Sequence, residues 1–130
     1  MIMTRLALLG VGRVGGEVAF LSSVLNLADE LVLYDSARAK LNSQVLDILN
    51  TGCDIPISTD WQDVARADIC VFAAGMPRNP AVKTRADLLS VNLPVAKICS
   101  RALSRFSGVL ITVTNPMDPN NYYLCRKNGL

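Results

Sequence analysis

The feature that most constrains this chain is a short apolar run ending in closely spaced glycines, Arg5-Leu6-Ala7-Leu8-Leu9-Gly10-Val11-Gly12-Arg13-Val14-Gly15. The run is too short for a helix, and apolar residues at helical spacing follow it at once, so the stretch reads as strand, tight turn and helix. Gly10 permits the turn, Gly12 lets the backbone come close to a pyrophosphate, and Gly15 lets the helix lie close on the strand. Phosphates held there face the first amides of a helix, whose unpaired N–H groups and dipole favour negative charge. A plain structural turn would carry the same glycines. Context argues against it: a second apolar run, Glu30-Leu31-Val32-Leu33-Tyr34, ends in Asp35, where a dinucleotide-binding unit places the acid that accepts from an adenosine ribose.

Composition narrows the class. A chain of 130 residues is expected to form one domain, residues 1–130, with one core. Apolar residues make up 51% and the net charge is only +2, which argues against the clustered basic surface of a nucleic-acid binder. No apolar run is long enough to span a bilayer, and Met1-Ile2-Met3-Thr4-Arg5 lacks a charged segment leading into an apolar one. The expectation is a soluble, cytoplasmic protein without nucleic-acid or membrane partners. Cys53, Cys70, Cys99 and Cys125 are unevenly spaced, without a C-x-x-C pair, and read as core thiols rather than as a metal site or disulfides. The chain contains no histidine.

Taken in order, Val14, Val18, Leu21 and Leu25 predict a helix packing that face on a sheet and ending at Asn26. The strand to Asp35 is followed by a helix marked by Leu41, Val45 and Ile48 or Leu49, with Gly52 as its stop. Ile55 to Thr59 reads as a short edge strand, Asp63 to Ala67 as a helical turn, and Asp68 to Gly75 as a strand buried on both faces. Met76 to Lys83 is a loop. From Arg85, the positions Leu88, Val91, Val95, Ile98, Ala102 and Phe106 predict a long amphipathic helix that Pro94 kinks or splits. Val109 to Val113 reads as another buried strand, and Asp118-Pro119 as the N-cap and first residue of a last helix through Tyr122 and Leu124. Strands and helices in alternation predict an α/β fold, a doubly wound parallel sheet in the order 3-2-1-4-5.

Four ordered stretches carry a resemblance: the glycine turn; Gly75-Met76-Pro77-Arg78-Asn79-Pro80; Thr84-Arg85-Ala86-Asp87-Leu88-Leu89 with Asn92; and Val113-Thr114-Asn115-Pro116-Met117-Asp118. Together they resemble the lactate/malate dehydrogenase family, and within it the malate branch. The resemblance covers nearly the whole chain and implies the amino-terminal Rossmann NAD-binding domain, stopping before its sixth strand. It further implies that the substrate-binding, catalytic domain is absent.

By position, the resemblance assigns the pyrophosphate to Gly10, Val11, Gly12, Arg13, Val14 and Gly15, and the ribose hydroxyls to Asp35. Asp35 repels a 2′-phosphate, favouring NAD over NADP, while Ser36 and Arg38 leave NADP open. Ala74, Gly75, Asn92, Val113 and Asn115 are expected on the nicotinamide side. Arg78 and Arg85 are the implied substrate residues. A planar guanidinium grips a remote carboxylate with paired charge-assisted hydrogen bonds, and arginine at 78 points to malate and oxaloacetate, a reaction of the tricarboxylic acid cycle. Asn115 would hydrogen-bond the substrate oxygen, and the bond to Pro116 resembles one that is cis in the family. The Arg78 to Arg85 loop departs from the family pattern: it is one residue longer and lacks its glycine.

The family's proton-transfer histidine, its partner aspartate and a further arginine lie in the carboxy-terminal half, so this chain alone is expected to bind dinucleotide with negligible turnover. The alternatives are a lactate-type 2-hydroxy-acid dehydrogenase fragment, a non-catalytic NAD-binding module, and the related NAD-dependent glycosidases. An open edge strand and exposed apolar helix faces predict self-association.

Overall fold

In a computed structural model, which describes residues 3–130, five parallel strands form one sheet in the order β3-β2-β1-β4-β5. The strands are β1 (Arg5–Leu9), β2 (Glu30–Tyr34), β3 (Ile57–Ser58), β4 (Ile69–Phe72) and β5 (Val109–Thr112). Four helices connect or follow them: α1 (Arg13–Val24), α2 (Arg38–Leu49), α3 (Arg85–Ala102) and α4 (Met117–Asn128), with a 3-10 turn over Trp61–Arg66. The expected fold class and strand order are therefore observed.

β1 pairs with β2 on one side and β4 on the other, so successive side chains alternate between two buried faces. Leu6 and Leu8 join Leu31, Leu33 and Val71 in the layer beneath α1 and α2. Ala7 and Leu9 join Val32, Cys70 and Phe72 in the layer that also takes in Leu103 and Leu124. Full burial of each large side chain here contributes about 1.5–3 kcal/mol. Cys70 and Cys99 are free thiols within the second layer, and burial pushes both up to about 12, so both are protonated and inert at neutral pH.

Several expectations are corrected. α1 buries Gly15, Gly16, Ala19, Ser22 and Ser23, whereas Val14, Leu21 and Leu25 face outward. The cause is proximity: a Cβ on Gly15 would lie 1.8 Å from the Gly10 carbonyl oxygen, so only small residues fit between this helix and the sheet. In α3 Leu88 and Ala102 are buried as expected, as is Phe106 beyond the helix end, but between them the buried residues are Asn92, Ala96, Cys99 and Ser100, with Ile98 exposed. The helix runs unbroken through Pro94; the N–H that proline lacks would have bonded the carbonyl of the exposed Ser90. β5 is one of the sheet's two edges among the described residues, with Val109 and Ile111 exposed, and is not buried on both faces. Finally, α4 starts earlier than expected. Its N-cap is Pro116, which puts Asp118 and Pro119 within the first turn, where the missing proline N–H has no intrahelical acceptor to lose. Among α2's expected markers, Leu41 and Ile48 are buried and Leu49 is exposed.

Candidate functional site

Strand order reverses between β1 and β4, and the carboxyl ends of the strands open there into adjoining clefts. The glycine turn stands at their junction. Gly10 has φ +97, and a Cβ there would meet backbone atoms of Ala74 at 2.5 Å, so glycine is required by both conformation and space. Gly12 differs. It is the N-cap of α1 with extended backbone, φ −72 and ψ −154, and nothing lies within 4 Å of where its Cβ would be. Neither a left-handed φ nor packing calls for a glycine at position 12, and the space beside it is open.

The start of α1 suits an anion. No described side chain caps it and its first turn holds no acid, so its leading N–H groups are left without a side-chain partner. Val11 and Gly15, expected among the cofactor residues, shape the turn from within. Val11 is buried and its N–H donates to Asp35 Oδ2 at 3.0 Å, while Gly15 packs against Gly10.

One cleft, of about 250 Å³, is lined by Gly10, Gly12, Asp35, Ala74 and Gly75. Asp35 ends β2 as expected, and its carboxylate has a task the sequence did not disclose. Its second oxygen accepts from the Ala37 N–H at 2.8 Å, so Asp35 ties the glycine turn to the β2–α2 connection. Each carboxylate oxygen keeps a free lone pair for a ligand hydroxyl. Val95 and Ile98 line the cleft as well. These two apolar residues of α3 border it, Val95 packing also against the core.

A second cleft, of about 740 Å³, takes in Gly12, Arg13, Val14, Gly75, Asn92, Val113 and Asn115. Lys40 lines both clefts and escaped the sequence reading. Its only signal is its place in the first turn of α2, the helix that starts beside Asp35 at the same end of the sheet.

Arg78 borders this cleft and also a third, of about 370 Å³, shared with Arg85, Asn115 and Asp118. The three expected substrate residues are thus brought together at one opening. The lengthened loop is held in shape by its own residues. Asn79 accepts from the Ala81 N–H through its side chain and from the Val82 N–H through its carbonyl, both at 2.9 Å, and Val82 is buried. Arg85 begins α3 behind a capping box in which Thr84 accepts from the Asp87 N–H and Asp87 accepts from the N–H groups of Thr84 and Lys83. Those hydrogen bonds, those from Thr84 first, hold the Asp87 carboxyl below its ordinary range. The Asn115-Pro116 bond is cis. Among the described residues no cluster of side chains could hold a metal ion, and no helix is long and apolar enough to cross a membrane.

Residues 4–130 match the family described as lactate/malate dehydrogenase, NAD binding domain. The malate dehydrogenase of Caulobacter vibrioides is 33% identical over an alignment of 138 positions that includes the whole chain, and that of Cereibacter sphaeroides is 31% identical over the same span. In both cases the chain covers 42% of the relative's length. Among solved structures, the malate dehydrogenase of Plasmodium falciparum superimposes with a TM-score of 0.86 at 29% identity, over 98% of this chain and 43% of that one. The minor L-lactate dehydrogenase of Enterococcus mundtii gives 0.86 at 25% identity, over the same shares. A glycine turn open to a phosphate, an acid closing the second strand, clefts at the strand-order reversal and a match over nearly every residue agree: the chain belongs to the lactate/malate dehydrogenase family, as its NAD-binding domain.

Proposed function

We propose that this chain is the cofactor-binding part, residues 1–130, of a cytoplasmic, homo-oligomeric malate dehydrogenase, and that alone it binds NAD without turnover. The observation that carries the reading is Gly12, a glycine in extended backbone with empty space where its Cβ would stand. A pyrophosphate seated on the amides that follow would fill that space. Asp35 would take the ribose hydroxyls and disfavour a 2′-phosphate, while the Val95 and Ile98 wall would cover the adenine. The amides of Gly12, Arg13 and Val14 would hold the phosphates, with Lys40 and Arg13 adding charge, and Ala74, Gly75, Asn92 and Val113 would border the nicotinamide. Bound NAD supplies the hydride acceptor for oxidation of a 2-hydroxy acid. Arg78 and Arg85 would grip the substrate's carboxylate and polarise its carbonyl, and Asn115 would orient its oxygen. The absence of histidine from this chain supports binding without turnover, since reduction of a ketone needs a proton donor beside the forming alkoxide. The exposed apolar side chains of α1 and the open edge of β5 support self-association.

Calorimetric titration of NAD into the wild type and Gly12→Ala tests the reading. An alanine here meets no neighbour, so folding stability should stay within about 1 kcal/mol, its slightly poorer capping offset by a less flexible unfolded chain. NAD affinity should fall at least about tenfold, because the methyl group occupies the phosphate's place. Equal affinity in the two proteins would remove the glycine turn from the site. For the substrate, malate added with NAD should shift the amide resonances of Arg78 and Asn115, and lactate should do so only at far higher concentration. A charge-assisted contact contributes about 1.5–3 kcal/mol, so Arg78→Gln should cost malate about tenfold or more and leave lactate unchanged. Equal loss for both acids would refute the dicarboxylate assignment.

A further inference from the structure

We infer that Asn92 is a positioning residue, a brace that fixes the Arg78 loop and the Asn115 turn relative to one another, and that it acts on the nicotinamide end of the bound dinucleotide through them. The inference rests on the proposed cofactor reading. Asn92 lies in α3 with 2% of its surface exposed, the one amide side chain of the helix's buried stripe. Its Oδ1 accepts from the Met76 N–H at 2.8 Å and its Nδ2 donates to the Asn115 carbonyl at 2.6 Å. One planar group therefore joins the base of the loop carrying Arg78 to the turn carrying Asn115, across 16 and 23 residues of sequence respectively.

Two neighbouring features show that the junction is built to close tolerance. A Cβ on Gly75 would lie 3.0 Å from Thr114 Cγ2 and 3.2 Å from Asn92 Oδ1, so a larger residue here would press on both side chains. Thr114 Oγ1 donates to the Ala74 carbonyl at 2.6 Å, linking the same two strand ends one residue further in. Thr114 and the Val113 N–H, which donates to the Phe72 carbonyl at 2.9 Å, hold the ends together. Asn92 adds orientation, because the two ends of its planar amide hold Met76 after β4 and Asn115 after β5 at once. The two bonds fix the plane of the amide where it borders the cleft, and one N–H and one lone pair stay unused.

The test uses the full chain with Asn92→Leu, which removes both hydrogen bonds at similar volume, and Asn92→Asp, which keeps the acceptor for Met76 and loses the donor to Asn115. Three readouts are compared: hydrogen exchange at the Met76 amide, affinity for NAD, and affinity for ADP-ribose, which lacks the nicotinamide. Asn92→Leu should speed Met76 exchange at least about tenfold, weaken NAD about tenfold and leave ADP-ribose within about twofold, as expected from the loss of two neutral hydrogen bonds. Asn92→Asp should retain Met76 protection and still weaken NAD. Unchanged Met76 exchange in Asn92→Leu overturns the brace, as does unchanged NAD affinity, or parallel losses for NAD and ADP-ribose, which would mark a merely structural residue. A wild type that binds neither nucleotide overturns the proposed function, and Met76 exchange in the two variants then decides the brace by itself.

Discussion

Single residues in this chain separate into those the fold demands and those it does not. Gly10 and Gly15 are fixed by their own surroundings, Ala74 for one and the Gly10 carbonyl for the other, whereas Gly12 has no such reason to be glycine. Asn120 is the opposite case, a polar group where the fold would accept an apolar one. It is fully buried in α4. Its Nδ2 donates to the Pro116 carbonyl at 2.9 Å, but its Oδ1 has no partner among the described residues. An unpaired buried acceptor costs about 1–3 kcal/mol, and the Pro116 carbonyl keeps the Asn120 N–H as a donor if the side chain is replaced. Asn120→Leu is therefore expected to raise stability by about 1–2 kcal/mol in urea denaturation, with an unchanged m-value. A loss of stability would mean that the Nδ2 bond outweighs the orphaned oxygen.

At the scale of elements, sequence reasoning succeeded where one signal dominated and failed where two competed. The strands, the order of the sheet and the stop at Asn26, which has φ 53, followed from short apolar runs and turn residues. The faces of α1 and α3 did not. Apolar periodicity assumes that the core takes the largest side chains, but α1 lies so close to β1 that it buries glycine, alanine and serine instead. In α3 the apolar residues are divided between the core and the wall of a cleft, and a buried asparagine stands in the stripe because its hydrogen bonds lie on distant loops. Neither fact is local in sequence. Asp87 illustrates a local signal with a measurable consequence. Its carboxyl is held below its ordinary value by hydrogen bonds from Thr84 and Lys83. A depressed folded-state pKa gives stability that is present above the unfolded value of 3.8 and is lost as pH falls through the folded value. The first turn of α3 should accordingly fray below about pH 4, seen as faster exchange or a chemical-shift change at the Thr84 and Lys83 amides. Asp87→Asn should remove that titration while keeping part of the cap. A titration that persists in Asp87→Asn would assign it to another carboxylate.

At the scale of the whole molecule, the two layers of the core are closed while much of the outer surface stays apolar. Val14, Leu21, Val24 and Leu25 of α1, with Leu27 just beyond it, are each between 43% and 63% exposed, and Leu46 and Leu49 of α2 are at least half exposed. They follow from the close seating of α1: once the small residues have been spent on the sheet, the larger ones have only the outside to face. Scattered exposed leucines are ordinary, but a run of them along one helix and into the next turn is a surface that water solvates poorly. The clefts open at the carboxyl ends of the strands, where the glycine turn begins α1, whereas Leu25 and Leu27 lie at and beyond that helix's other end. Association through the far part of α1 should therefore leave nucleotide binding intact. Light scattering over a range of concentrations is expected to show a species larger than 14.0 kDa. The double variant Leu21→Glu, Leu25→Glu should return the monomer, because charges placed at both positions would face each other or enter a dry interface in any complex that uses this surface. NAD affinity in the variant should match the wild type. A wild type that stays monomeric throughout would show that the apolar face of α1 does not drive association of this chain, and a variant that associates as strongly would move the contact elsewhere, with the exposed edge of β5 next to be tested by Ile111→Lys.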